Sequence, residues 1–437
     1  MRPASPNLVS AETLRRHATN LAIARSAGAE LAALDDALLR ALTKMSAQRL
    51  RRAMASPISI QNDQDNALPI SAVFIRPVGD RCNLACSYCY QAHLREEAVG
   101  KRMTFQTLRD TLANASKLPT RPISFAWHGG EPLLAGKAFF RKAIELQCEF
   151  FPSRGEVTNS VQTSGVLLDD EWLELFQRSG FAVGISLDGP RDLHDSQRFT
   201  KSGIGTFETL LGKIARAREL NVPLNAICVI GEHHFGQAAR VFDTFRSLGI
   251  VHCNLQPDFG NDGAGRPTHV SAKSFAEFTC AFWDLWKNSP PPYMRVRFFD
   301  NFLVQLLNGQ GDDCVFSGEC SRLIAVSETG GLRPCSRPIE GYADMGSIAL
   351  LATSGAGAPV FSQFRAEDML SQSRVAQCPY FKMCNHGCPQ HRINEGGEQS
   401  VSGSNVFCGC SNAEGVGYDT IWAHVLIDVC ETLSDIT

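Results

Sequence analysis

Cys82, Cys86 and Cys89 stand within eight residues of one another in the spacing C-x3-C-x2-C. Gaps of three and two residues let one short loop deliver three thiolates to a single cubane, and [4Fe–4S] clusters are held by thiolates. No fourth cysteine is close by, so one iron would lack a protein ligand and could accept an exogenous one. A zinc site and three unrelated core thiols are the competing readings. Structural zinc sites usually present four ligands, often in two pairs. A second concentration of thiols follows far along the chain: Cys314, Cys320, Cys335, Cys378, Cys384, Cys388, Cys408 and Cys410. Eight cysteines could also make two zinc sites by count. The remaining five, Cys148, Cys228, Cys253, Cys280 and Cys430, fall in strand or helix patterns and read as ordinary buried cysteines.

The chain of 437 residues is long enough for two or three domains. Its composition, 44% apolar and 20% charged, is that of a globular protein. A net charge of −3 gives no electrostatic footprint for nucleic acid or an anionic membrane. No apolar run reaches the ~18 residues of a membrane span, and charges such as Arg15 and Arg16 interrupt the N-terminal stretch. The expected location is therefore the cytoplasm. There disulfides are reduced, and clustered cysteines point to metal or catalysis.

The elements that must position these residues are legible from periodicity. Residues 1–68 are rich in Ala, Leu and Arg and read as an N-terminal helical extension ending in a polar linker. From Ser71 short apolar runs alternate with amphipathic segments. Strands are expected over 72–78, 123–127, 157–163, 182–187, 224–230 and 251–256, with helical faces at Phe207–Ala217 and Ala238–Leu248 and a helix over 274–287. Six β-α repeats predict an α/β fold with a parallel sheet, doubly wound or curved into a partial barrel, over residues 69–292. The three-cysteine loop follows the first strand, at the strand end where parallel α/β folds gather ligands. Residues 293–437 form a cysteine-rich domain in which metal is expected to replace much of the hydrophobic core.

C-x3-C-x2-C with Tyr88 before the last cysteine resembles the fingerprint of the radical S-adenosylmethionine (SAM) superfamily. The resemblance implies a partial (β/α)6 barrel in which SAM chelates the unique iron. Reductive cleavage of SAM then gives a 5′-deoxyadenosyl radical that abstracts hydrogen from a substrate. Gly129, Gly130, Glu131 and Pro132 after the second strand resemble the family's GGEP motif, which contacts the SAM amino group; glycines allow close backbone approach there. Gln162 at the end of strand three, Ser186 and Asp188 at the end of strand four, and Arg198 resemble the polar segments that hold SAM in relatives. Asp188-Gly189-Pro190 also suits a plain turn.

The C-terminal cysteines resemble the SPASM domain of radical SAM maturases, which binds two auxiliary [4Fe–4S] clusters, making three in all. The resemblance assigns Cys314, Cys320, Cys335 and Cys388 to the first. The family pattern for the second has a cysteine at position 375, where this chain has Val375. Cys378 and Cys384 remain, and Cys408 with Cys410 would restore four thiolates. An open three-ligand cluster, or loss of the cluster, are the alternatives. In the sulfatase-maturing branch an Asp follows the last cysteine of C-x9-G-x4-C as general base. Here that residue is Ser336, which cannot act as a base of comparable strength without an activating partner. Asp300 is the catalytic candidate in its place, with Asp258 second; either position also suits a helix cap or surface carboxylate. His386 and His391 read as cluster-loop residues. The resemblance implies an enzyme that oxidatively modifies a ribosomally made precursor peptide, by a carbon–carbon (cyclophane) or thioether crosslink. A flavodoxin or ferredoxin would donate electrons. A sulfatase-type formylglycine-forming maturase and a non-catalytic iron–sulfur sensor are the alternatives.

Overall fold

The computed structural model describes residues 70–434, except 93–99, 154, 261–268, 291–293, 309–312, 319, 338, 340, 343–344, 351–361, 379, 395–396, 410–411 and 413–414. The expected N-terminal extension and Cys410 therefore lie outside the described residues.

Strands β1 (Ala72–Ile75), β2 (Ile123–Trp127), β3 (Val157–Thr163), β4 (Phe181–Ser186), β5 (Leu224–Ile230) and β6 (His252–Pro257) lie side by side in chain order, every neighbouring pair parallel. The alternation of β5, with Leu224, Ala226, Cys228 and Ile230 buried, sets one face against the helices. That layer is formed by α1 (Phe105–Ala115), α2 (Lys137–Phe150), α3 (Asp170–Arg178), α4 (Arg191–Gln197), α5 (Phe207–Glu219) and α6 (Ala238–Leu248). Local chemistry sets the helix ends. Thr104 and Asp169 cap α1 and α3 by accepting the amides of Thr107 and Trp172, and Gly249 closes α6 in the left-handed conformation at φ 70°. The aromatic heart of the layer is Trp127, Phe140, Trp172, Phe176 and Phe181, packed edge-on and stacked at 5.1–6.4 Å.

The sheet does not stop where the six repeats end. After α7 (Ala272–Lys287), β7 (Arg295–Val296) joins β6 in parallel and runs into α8 (Arg297–Asn308). At the opposite edge β8 (Leu323–Val326) pairs in parallel with β1, and β9 (Leu332–Arg333) adds antiparallel to it. Among the described residues the sheet thus has nine strands, in the order β7-β6-β5-β4-β3-β2-β1-β8-β9. Residues beyond 292 therefore protect both edges of the six-strand core.

Metal does not replace the core of the C-terminal region, contrary to expectation. Phe298, Phe302, Phe316, Tyr418 and Trp422 are nearly fully buried together, with Phe302 stacked on Trp422 at 4.7 Å. Trp422 and Tyr418 belong to the last helix, Tyr418–Ser434, which packs on α7. Such aromatic burial stabilises by roughly 1.5–3 kcal/mol per side chain. Of the cysteines read as core thiols, Cys228 and Cys253 are buried and Cys280 half-buried. Cys148 is exposed on α2, because the helix turns it away from the sheet. The side chain of Cys430 lies outside the described residues.

Candidate active site

The cysteine loop is held from three sides. Ala85 and Ser87 donate backbone hydrogen bonds to Phe199 and Gln197, so the loop pairs with the segment that carries Arg198. The Gly129-Gly130 turn supports it from below, with Gly130 and Glu131 amides donating to the carbonyls of Gly79 and Arg81, each at 2.8 Å. A Cβ on Gly130 would lie 2.1 Å from the Arg81 carbonyl oxygen, so nothing larger than glycine fits. Gly129 has φ +126° and faces Gly79 in the same way.

Glu131 is fully buried and ties the turn to the next strand. Its carboxylate accepts from the Leu133 amide (3.1 Å), the Thr163 hydroxyl (2.7 Å), and the amide (2.8 Å) and hydroxyl (2.7 Å) of Ser164. Burial raises its pKa, and these hydrogen bonds pull it back. Pro132 opens the short turn Pro132–Ala135 and is buried behind it.

Asp188 lies beneath the cysteine loop. Its Oδ2 accepts from the Tyr88 phenol at 2.6 Å and from Arg198 Nε at 2.6 Å, and its Oδ1 from the Val229 amide at 3.0 Å. The Arg198 guanidinium lies 5.2 Å from the Tyr88 ring centroid. Burial works to raise the Asp188 pKa, but the Arg198 charge and the hydrogen bonds win and hold it at about 2. The same surroundings push the Tyr88 phenol well up, burial first.

A cavity opens above this floor. Cys82, Cys86, Cys89, Tyr88, Gly129, Gly130, Gln162, Ser186 and Arg198 all line it. Gln162 and Ser186 approach each other across β3 and β4, 3.4 Å apart, over Gly184, where a Cβ would strike the Gln162 amide oxygen at 2.2 Å. Glu131, Pro132 and Asp188 stand one layer behind the wall.

The two carboxylate candidates are separated by the fold. Asp300 sits in the first turn of α8, paired with Arg295 at 2.9 Å, and does not line the cavity. Asp258 does line it, at the end of β6, buried, with one oxygen accepting the Gly260 amide at 3.0 Å. Ser336 is buried.

Several lining residues were not singled out from the sequence. His128 immediately precedes Gly129; its Nδ1 is buried with no hydrogen-bond partner, and burial followed by the charges of Arg76 and Arg337 lowers its pKa to about 3. Tyr90 follows Cys89, with its phenol pushed up to about 12 by burial. Gln256, on the β6 end, and Arg337 complete the far wall. Strand-end position was an available signal for Gln256. Arg337 follows no strand pattern.

The C-terminal thiols divide into groups. Cys320 feels Cys388, Cys314 and Cys335; Cys314 feels Cys388 and Cys335; Cys388 feels Cys335. These four therefore lie within electrostatic reach of one another, and burial raises the pKa of both Cys320 and Cys388. Cys378 precedes the short helix Phe381–Cys384, Cys384 is its last residue, and Cys408 is buried. Val375 is half-buried beside them, its carbonyl accepting from the Cys378 amide at 2.9 Å. Tyr418 lies within reach of both Cys384 and Cys388. His386 and His391 are buried on this loop.

The residues present fit a cubane with an amino-acid-bearing nucleotide cofactor. Three thiols face one cavity, a glycine cradle lies beside them, and an unpartnered imidazole nitrogen and a charged floor surround the space.

Comparison with known proteins agrees. The Radical SAM superfamily model matches residues 77–244. A serine-type anaerobic sulfatase-maturating enzyme of Klebsiella aerogenes is 30% identical over 343 residues, 77% of this chain and 82% of that protein. The solved structure of anSMEcpe with bound AdoMet and a peptide superposes with a TM-score of 0.69 at 23% identity, covering 82% of this chain and 98% of that one. SuiB of Streptococcus suis, bound to its precursor peptide SuiA, superposes with a TM-score of 0.54 at 13% identity, covering 82% of this chain and 79% of that one. These two likenesses concern the fold. The chain belongs to the radical SAM superfamily, in the family of the anaerobic sulfatase-maturating enzymes, and is an enzyme of the class that binds SAM and a [4Fe–4S] cluster.

Proposed function

We propose that the chain is an oxidative peptide maturase that closes an intramolecular crosslink, carbon–carbon or thioether, in a ribosomally made precursor. The observation that carries the reading is the single cavity shared by the three-cysteine loop, the SAM-motif residues and Arg337, which follows Cys335 by two residues. The anSMEcpe and SuiB structures were both solved with peptides bound, which supports a peptide substrate.

Cys82, Cys86 and Cys89 would hold the first cluster. Cys314, Cys320, Cys335 and Cys388 would hold a second, and Cys378, Cys384, Cys408 and Cys410 a third. With SAM bound, the first cluster supplies a carbon radical able to take a hydrogen atom from an unactivated carbon. The protein's own part is positional. Gly129 and Gly130 let the backbone approach the cofactor's amino-acid moiety. Gln162 and Ser186 offer hydrogen bonds to its polar groups, and Asp188 keeps Arg198 and Tyr88 in place. Asp258 lines the cavity, as does Asp80, but Asp80 is paired with Arg76; Asp258 is the carboxylate positioned to take the proton that substrate oxidation releases. Asp300 is too engaged with Arg295 to serve.

A formylglycine-forming activity is the second reading, supported by the 30% identity to a sulfatase-maturating enzyme. Ser336 at the position of that branch's base is the feature that favours crosslinking. The deciding experiment is the accurate mass of a candidate precursor peptide, encoded beside this gene, after anaerobic co-expression. Crosslinking predicts loss of two hydrogens, blocked fragmentation between the linked residues and no reaction with hydrazine. A hydrazine-reactive carbonyl would establish the second reading, and an unmodified peptide would contradict both.

A further inference from the structure

Arg337 occupies the boundary between the cavity and the four C-terminal thiols. Its backbone amide donates to Cys335 Sγ at 3.5 Å, and its side chain lines the cavity. The guanidinium donates to the Gln256 Oε1 atom, to Gln390 Oε1 at 3.3 Å and to His391 Nε2 at 3.3 Å. All three acceptors are neutral. A guanidinium only donates, so His391 Nε2 is the acceptor, a role an imidazolium nitrogen does not fill.

Two other cations near these thiols are paired with carboxylates: Arg392 with Asp368 at 2.6 Å, and Arg297 with Asp313 at 3.8 Å. Among the described residues no carboxylate pairs with Arg337. Its positive charge instead faces Cys388, Cys335 and Cys314. Hydrogen bonds to sulfur and nearby net charge are the levers by which a protein sets an iron–sulfur potential. Reduction adds a negative charge to an already anionic cluster. An adjacent uncompensated cation stabilises the reduced form and raises the potential.

We infer that Arg337 is a positioning residue that raises the reduction potential of the cluster held by Cys314, Cys320, Cys335 and Cys388, making it the electron acceptor for substrate oxidation. The inference rests on the proposed cluster assignment. The balance is closed. The substrate carbon gives a hydrogen atom to the SAM-derived carbon radical, breaking one C–H bond and forming another. As the new substrate bond closes, one proton goes to a base and one electron to the cluster, which passes from the 2+ to the 1+ core. Clamping by Gln256 at the end of β6 and Gln390 of the cysteine loop fixes the guanidinium at the boundary between the cavity and the thiols.

The test is an anaerobic redox titration of the reconstituted holoenzyme followed by electron paramagnetic resonance, with wild type, R337Q and R337K compared at equal iron content. Adding SAM identifies the signal of the SAM-binding cluster. In R337Q the reduced-to-oxidised ratio of one auxiliary cluster at fixed potential is expected to fall about tenfold, 59 mV for a one-electron couple. R337K is expected to restore most of it, and the SAM-binding cluster to titrate as in wild type. Unchanged midpoints in fully loaded R337Q would overturn the inference while leaving the cluster assignment intact. Loss of iron in R337Q and R337K alike would overturn it by assigning Arg337 a structural role. A wild-type content of about four irons rather than about twelve would overturn the cluster assignment itself.

Discussion

The Tyr88 phenol donates a 2.6 Å hydrogen bond to Asp188, one hundred residues along the chain, and Asp188 also binds Arg198 Nε at 2.6 Å. The aromatic residue of the cysteine loop is thereby locked to the end of β4. Removing the carboxylate in D188A leaves the Arg198 charge buried and unpaired, at an expected cost of about 3–5 kcal/mol. Y88F is expected to cost about 1.5–3 kcal/mol, as a hydrogen bond to a charged group. Anaerobic thermal melts and equilibrium dialysis of SAM should show both variants less stable, with D188A the more impaired in SAM binding. The Asp188 contribution is fully present above the unfolded carboxyl value of about 3.8 and is lost as pH falls toward about 2. It is therefore constant across the physiological range.

His194 gives a pH dependence of opposite origin. It is 1% exposed, accepts the Asp188 amide at Nδ1 (3.3 Å) and meets the Thr206 hydroxyl at Nε2 (3.0 Å). Burial lowers its pKa from 6.5 to about 4. Between these values the unfolded chain binds more protons than the folded one, so stability falls as pH drops through that window. The slope from this group is at most about 1.4 kcal/mol per pH unit. Melting temperatures of H194Q should decline less steeply than those of wild type from pH 6.5 to 4; parallel declines would remove His194 from the account.

The glycine cradle predicts a contrast between two alanine substitutions. G130A drives a Cβ to 2.1 Å from the Arg81 carbonyl, and backbone must move next to Cys82. Overpacking of this kind costs about 1–3 kcal/mol. The expected result is loss of the SAM-responsive cluster signal with the other cluster signals retained. G212A, inside α5 with nothing within 4 Å, should be neutral or stabilising by up to about 1 kcal/mol. Normal loading of G130A would show that the turn does not support the cysteine loop.

Asp258 and Asp300 separate by location. D258N is expected to lower peptide modification by a factor of about 10²–10⁴ while SAM cleavage persists, as befits loss of a base acting after hydrogen abstraction. D300N should modify peptide at a near wild-type rate, because its carboxylate pairs with Arg295 away from the cavity. Product quantification by mass spectrometry decides, and the reverse pattern would reinstate Asp300.

Much of this site was legible because its parts are local. The cysteine triad, Gly129-Gly130 and the six strands each announce themselves within a few residues, and β2, β3 and β5 fall where periodicity placed them. What the residues did not disclose depends on contacts far apart in sequence. β7 and β8 are only two and four residues long, too short for periodicity to mark, and they become strands by pairing with β6 and β1. Asp300 looked as suitable as Asp258 because a lone carboxylate carries no signal until its partner is known. Arg337 was passed over for the same reason: its charge matters through Gln256, Gln390 and the thiols, and none of these neighbours follows from spacing. The aromatic core around Trp422 was hidden by the cysteines that surround it in sequence.

The most direct test of the central claim is 5′-deoxyadenosine formation by anaerobically reconstituted protein with SAM and a strong reductant, alongside C86A. The account predicts cleavage by the wild type and none by C86A, with the auxiliary cluster signals of the variant retained. Equal cleavage by C86A, or none by fully loaded wild type, would contradict the assignment of the cavity as the radical-generating site.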